Sequence, residues 1–266
     1  LKLLDYSRSG AIVAAPTSSL PETLGGERNW DYRYAWVRDA AFSVYALRQV
    51  GITQEAQEFL SWVLDALERH GGPKILFTVD GDLPPAEATD HELRGYRGSA
   101  PVRWHNGAAD QVQHDVYGEI LDCAYLWAMG GGHIDAPLWE RLRALVEGAR
   151  TAWREPDQGI WEVRSVGRVF TYSAAMCQVA LDRGAKLAER YGLPGDREGW
   201  RREADEIRRV IIEGALCGRV NHLGLLAEQL DPETGGFLGN FPQAFSHIGI
   251  ITSATNLAKR RRERLT

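Results

Sequence analysis

The sequence predicts an all-α fold, and three observations predict it. Apolar residues repeat at i, i+3, i+4 and i+7 along most of the 266 residues. Convincing period-two alternation is scarce. Tight connections alternate with long ones rich in Gly, Pro and polar residues, the pattern of antiparallel helical hairpins whose long loops gather on one face.

Taken in order, a first helix is expected from Ala35 to Val50. A second runs from Thr53 to His70, where Ala56, Phe59, Leu60, Val63, Leu64 and Leu67 form one apolar stripe. A third spans Asp110 to Met129. The fourth follows Asp135 and Pro137, a cap and first-turn pair, and carries Leu138, Leu142, Leu145, Val146 and Ala149. A fifth covers Phe170 to Tyr191. A sixth, behind Asp196, is marked by Trp200, Ala204, Ile207 and Ile211 and ends near Glu213. A short helix from Cys217 to Leu226 and a last one from Phe241 to Arg262 bring the expectation to about eight. Gly51-Ile52-Thr53 and Leu193-Pro194-Gly195 are tight connections; residues 71–107, 154–168 and 229–240 are the long loops. Residues 1–266 read as a single domain, with no low-complexity linker and no short-period repeat.

Composition narrows the function classes. The chain is 44% hydrophobic and 25% charged, with a net charge of -5, an ordinary globular balance with material for a sizeable core. That mild acidity argues against nucleic acid or an anionic membrane as partner, since either favours basic patches. The basic run Lys259 to Arg264 ends the last expected helix, where the dipole favours cations. Cys123, Cys177 and Cys217 are an odd count without zinc-like spacing, and no apolar run is long enough to span a bilayer. Free thiols and a cytoplasmic location are therefore expected. The chain begins Leu1-Lys2-Leu3-Leu4 without methionine and is expected to be a piece of something longer. No metal or other cofactor is expected: the histidines form no ligand-like set, and phosphate-loop, nucleotide-binding and Ser/Cys nucleophile patterns are absent.

Four places could carry chemistry. Residues 28–39 gather Trp30, Tyr32, Tyr34 and Trp36 with Arg28, Arg33, Arg38, Asp31 and Asp39. Aromatic faces beside planar hydrogen-bonding groups suit a sugar, whose C–H faces stack and whose hydroxyls need donors and acceptors; the same cluster also reads as a helix start with Asp–Arg ion pairs. Trp161-Glu162 places a carboxylate beside an indole, a setting that raises a carboxyl pKa and keeps a general acid protonated. Glu228 follows the apolar Leu225-Leu226-Ala227 and precedes a turn, at the rim of a core or simply at the surface. On the third helix Gln111, His114, Asp115, Gly118, Glu119 and Asp122 line one stripe and Val112, Val116, Ile120 and Ala124 another. With both stripes buried, the polar one faces a cavity and Glu119 competes with Glu162 for the acid role.

Read together, these segments resemble glycoside hydrolase family 15, the glucoamylases, glucodextranases and bacterial trehalase-like enzymes. The resemblance is carried by residues 10–22, Arg28 through Asp39, Gly95 to Ser99 with Pro101-Val102-Arg103, Asp115 to Glu119, Gly159-Ile160-Trp161-Glu162, Leu225 through Glu228, and Asn240 through His247. It implies a barrel of six helical hairpins, an (α/α)6 toroid, and inverting hydrolysis of an α-glucoside or oligosaccharide with release of β-glucose. It further implies that Glu162 is the general acid and Glu228 the general base. Tyr32, Trp36, Arg38, Asp39 and Trp161 would bind the sugar. The trehalase-like branch is the most similar in style.

The chain departs from the family in one span. Twelve barrel helices need more chain than this, and the shortage falls around residues 213–221, between the acid and base segments. The β-rich domain that usually precedes the barrel is absent too. An incomplete toroid with impaired activity is therefore expected, with a catalytically inactive sugar-binding protein of the same fold as the alternative.

Overall fold

The computed structural model describes residues 1–213 and the paired strands 229–230 and 237–238. Leu1–Arg208 form one compact unit and Arg209–Thr266 a second. The expected helices 217–226 and 241–262, the Glu228 segment and Cys217 lie outside the described residues.

Six α-helices are found among the described residues: α1 (Val37–Gln49), α2 (Gln54–Arg69), α3 (Asp115–Met129), α4 (Ala136–Ala152), α5 (Thr171–Tyr191) and α6 (Arg197–Ile211). Each matches one expected from periodicity, and the ends follow local chemistry. Asp135 caps α4 by accepting a hydrogen bond from the Leu138 N–H at 2.9 Å, with Pro137 in the first turn. Gly192 closes α5 at φ 65°, where a residue with a Cβ would be strained.

Two starts differ from expectation. α1 begins two residues late because Ala35–Trp36 (β3) are extended and pair antiparallel with Leu76–Phe77 (β4). α3 begins at Asp115 rather than Asp110. Residues 107–110 form a 3-10 turn capped by Asn106, and Gln111 is extended. The other short strands of the first unit are β1 (Asp5–Tyr6) with β2 (Ala11–Ile12) and β5 (Ala88–Asp90) with β6 (Val102–Trp104). In the second, β7 (Gln229–Leu230) pairs with β8 (Phe237–Leu238).

Within the first unit α3 lies between α1 and α5, with α2 packed against α1 and α3 and α4 against α3 and α5. The α2 stripe buries Phe59, Leu60, Val63, Leu64 and Leu67, and α3 buries Val116, Ile120, Leu121, Cys123 and Ala124. Each large side chain so buried contributes about 1.5–3 kcal/mol. Gly118 on α3 permits the close approach to α5: a Cβ there would lie 2.2 Å from the Met176 carbonyl oxygen. Trp200 of α6 packs edge-on against Trp139 of α4 and donates its indole N–H to Glu147 at 2.9 Å. Cys123 and Cys177 are buried and free. Among the described residues no helix is long and apolar enough to cross a membrane.

The N-termini of α1, α3 and α5 carry Trp36, His114 and Phe170 as their capping positions. The long loops join these starts to the preceding elements, and the candidate site is built there.

Candidate active site

Glu162 is the centre of the arrangement. Its carboxylate oxygen Oε1 accepts a hydrogen bond from the Trp36 indole N–H at 2.8 Å and lies 3.3 Å from Nη2 of Arg38. Arg38 is itself fixed: its Nη1 donates to Gln113 Oε1 and to Asp115 Oδ2, both at 2.8 Å. Its guanidinium thus spans one carboxylate at the start of α3 and another on the loop of residues 157–168, using the planar fork that lysine lacks. The Glu162 side chain is 26% exposed. Burial raises its carboxyl above the ordinary range, while Trp36 and Arg38 pull in the other direction. A group so placed holds a proton more tightly than a free carboxylate and still meets solvent.

The tryptophan beside Glu162 is not the one the local sequence suggested. Trp161 is 78% exposed, and the indole that touches the carboxylate is Trp36, from a distant part of the chain. Adjacent residues of a turn point apart, so sequence neighbours need not share an environment. Glu162 has φ 51°, a left-handed conformation that costs a residue with a Cβ about 1–2 kcal/mol. Its N–H donates to Gly159 O at 3.0 Å and that of Val163 to Gln158 O at 3.2 Å, closing the turn.

The loop is rooted at both ends of its base. Asp157 and Arg168 exchange two backbone hydrogen bonds of 2.8 Å. The buried Asp157 carboxylate accepts from the His114 N–H at 2.8 Å and from the Ser173 hydroxyl at 2.6 Å, tying the loop to the starts of α3 and α5. Gln111 donates to the Glu162 carbonyl at 3.2 Å.

The remaining residues of the 28–39 cluster divide into two groups. Asn29 and Asp31 are buried framework: Asn29 donates to the Ser99 and Pro101 carbonyls, and Asp31 accepts from the Arg33 side chain and the His105 N–H. Burial pushes the Asp31 carboxyl up, but those hydrogen bonds outweigh it and hold it below its usual range. Tyr32 and Asp39 stay with Glu162. The Tyr32 ring lies 5.5 Å from that of Trp36, tilted by 46°, and burial with the nearby Glu162 charge raises its phenol. Asp39 is exposed on the first turn of α1, yet desolvation by the protein around it raises its carboxyl while Arg38 opposes. Tyr32, Trp36, Arg38, Asp39 and Glu162 thus come together; Trp161 stands outward on the same loop; Glu228 lies outside the described residues.

Glu119 is separate. It is 4% exposed, accepts the Tyr172 hydroxyl at 2.8 Å, and is pushed by burial up to about 8. The expected apolar stripe is buried from Val116 to Ala124 while Val112, ahead of α3, is exposed; of the polar stripe, Glu119 and Asp122 line a cavity of about 310 Å³ together with Arg183. Phe42, Tyr45, Leu126 and Trp127 make the rest of that lining largely apolar.

Sequence reasoning missed Gln113 and the structural use of Asp115. An available signal was the alternation Gln111, Gln113, Asp115 in an extended approach to a helix, which puts all three on one side. Among the described residues no three His, Cys, Asp or Glu side chains come together as a metal site.

The sequence model of glycosyl hydrolases family 15 matches residues 1–219 and 215–255. Trehalase of Mycobacterium tuberculosis is 48% identical over 224 residues, covering 82% of this chain and 33% of that protein. Trehalase of Mycolicibacterium smegmatis is 46% identical over 365 aligned positions, covering 99% of this chain and 55% of the relative. Since the chain has 266 residues, at least 99 of those 365 positions have no counterpart in it. The chain therefore spans between a third and about half the length of these relatives. Among solved structures, a bacterial glucoamylase complexed with acarbose superposes with a TM-score of 0.56 at 14% identity, over 78% of this chain and 26% of that one. A wild-type glycosidase does so with 0.55 at 21% identity, over 79% and 53%. Those likenesses bear out the all-α, glucoamylase-like architecture.

Proposed function

The chain belongs to glycosyl hydrolases family 15, and on that premise we propose that it hydrolyses an α-glucosidic bond with inversion. Glu162 would give the proton to the leaving oxygen, and Glu228 would take one from the attacking water. One observation carries the reading: the Glu162 carboxyl is held between Trp36 and Arg38, with its proton affinity raised and part of its surface open. That suits a general acid, which needs a raised proton affinity, a fixed direction and access to substrate.

The other residues take roles from their chemistry. Arg38 and the exposed Asp39 offer donors and an acceptor for sugar hydroxyls. Tyr32 presents an exposed ring for the C–H face of a pyranose, whereas Trp36, expected to bind the sugar, is buried behind it and serves by holding Glu162. Trp161, exposed on the acid loop, would stack on the sugar that leaves. In an inverting enzyme the carboxyl groups of Glu162 and Glu228 stand roughly 6.5–9.5 Å apart, leaving room for water. Trehalose is the first substrate to test, because the Mycobacterium tuberculosis and Mycolicibacterium smegmatis relatives are trehalases.

We infer further that a single incomplete (α/α)6 domain lacks about a hundred residues between acid and base. The two segments of the family match overlap at residues 215–219, which supports the place of the break, and the unmatched positions of the Mycolicibacterium smegmatis trehalase support its size. Turnover should therefore be weak. The relatives are all enzymes by name, which disfavours the non-catalytic alternative.

Incubating purified protein with trehalose, maltose and soluble dextrins, while following the anomers by proton NMR, tests the proposal. Equal initial amounts of α- and β-glucose from trehalose, or β-glucose first from dextrins, support it. Only α-glucose at first from either substrate, or calorimetric binding of a glucose-like iminosugar without any turnover, would overturn it. Rapid turnover by a monomer would remove the inferred impairment.

A further inference from the structure

The acid loop is held at its tip as well as at its base, by a group of side chains from two other long loops. The guanidinium of Arg164, two residues after Glu162, forms a two-pronged ion pair with Glu87. Nη1 lies 2.9 Å from Oε1 and Nη2 2.7 Å from Oε2. Glu87 is set in place by the Gly107 N–H at 3.0 Å and by Arg103, whose Nη1 is 3.7 Å away. Trp30 completes the group: the Arg164 guanidinium carbon sits 4.4 Å from its ring centroid and that of Arg103 4.7 Å. One carboxylate and one indole are thus each shared by the same two arginines. The group joins Trp30 from residues 28–39 and Glu87 and Arg103 from residues 71–107 to Arg164 of the loop itself.

We propose that Glu87, Arg164 and Trp30 form a positioning clamp that keeps the acid loop, and with it the Glu162 carboxyl, in register with Trp36 and Arg38. This rests on the acid role given to Glu162 above. The backbone needs such a restraint. Glu162 is in a left-handed conformation, which persists only where surrounding contacts determine it. Trp36 and Arg38 restrain the end of the side chain; the clamp restrains the chain two residues on. A loop that carries a reacting group must hold it closely, because a displacement of about 1 Å lowers rate by about a hundredfold. Arg164 fits this task through geometry more than charge. Its planar fork meets both oxygens of Glu87 while its face lies on Trp30, a combination an ammonium cannot make.

The test compares the full chain with its Arg164→Lys and Glu87→Gln variants and the double variant, by hydrogen exchange and by kinetics. Exchange at the Glu162 and Val163 amides, which close the turn, should quicken by about tenfold or more in both single variants. Amides in the middle of α4 should keep their rates. With the best substrate, kcat should fall by about 10- to 100-fold while KM changes less than about twofold. The double variant should be no worse than either single one, since the pair acts as a unit. Wild-type exchange at Glu162 and Val163 in Arg164→Lys would overturn the clamp, whatever the activity. So would an additive double variant. Absence of glucoside turnover in the wild-type protein would instead sink the functional reading, and the exchange rates would still decide the clamp.

Discussion

Glu162 and Glu119 both lie near Arg38, one on a loop and the other on a helix, and burial raises the carboxyl of each. Their surroundings differ in ways that matter for chemistry. Glu162 meets an indole N–H and a guanidinium, both of which favour the charged form, and part of it reaches solvent. Glu119 meets the Tyr172 hydroxyl and has almost no exposed surface. A general acid must lose its proton and recover it within each turnover, so its charged form has to be tolerable. The donors around Glu162 supply that tolerance. Around Glu119, Asp115 and Asp122 make the charge harder to bear, with Arg38 and Tyr172 opposing only in part. A raised pKa alone therefore does not mark a general acid; access and a partner for the anion are needed as well.

The largest effect that could break this comparison is in turnover. Glu162→Gln should lower kcat for trehalose or dextrins by about a thousandfold or more, while Glu119→Gln changes it by less than about threefold. Equal losses in steady-state kinetics would end the distinction.

Next comes stability. A carboxyl pushed up to about 8 binds its proton more tightly folded than unfolded. The stability it contributes is full below the ordinary value near 4.5 and is lost as pH rises through about 8. Glu119→Gln, which mimics the protonated form, should leave denaturant unfolding at pH 5 nearly unchanged. At pH 9 it should be more stable than wild type by about 2–4 kcal/mol. An equal difference at both pH values would show that Glu119 does not titrate in this range.

Gly118→Ala probes the helix side alone. The added methyl meets the Met176 carbonyl and should cost about 1–3 kcal/mol in denaturant unfolding. Well below the unfolding midpoint, turnover should persist. The smallest effect is that of Trp36→Phe. Loss of the indole N–H removes a bond that stabilises charged Glu162, so its pKa rises further and the alkaline limb of kcat/KM moves to higher pH. The accompanying fall in kcat should be about tenfold. Movement of the limb to lower pH would contradict the role given to Trp36.

Much of the fold was legible in the sequence because helix periodicity is a local signal. All six described helices carry their apolar stripes in consecutive turns, as Phe59, Val63 and Leu67 do in α2. What local pattern does not carry is long-range pairing. Ala35 and Trp36 continue the apolar run of α1, yet leave the helix to pair with Leu76 and Phe77. The site shows the same division. Glu162 was visible as a carboxylate beside an indole, but the indole that matters comes from Trp36. The alternation at Gln113 does not say that its partner is Arg38, and the Glu87–Arg164 pair was invisible, because each contact joins distant segments. The polar stripe of the third helix offered Glu119 as a rival acid, and only three-dimensional burial and partners set the two apart.

The most direct test of the central claim uses a leaving group that needs no proton. In Glu162→Gln, hydrolysis of α-glucosyl fluoride should remain within about tenfold of wild type while hydrolysis of trehalose or dextrin falls by about a thousandfold. Equal loss on both substrates, or loss on neither, would show that Glu162 is not the general acid.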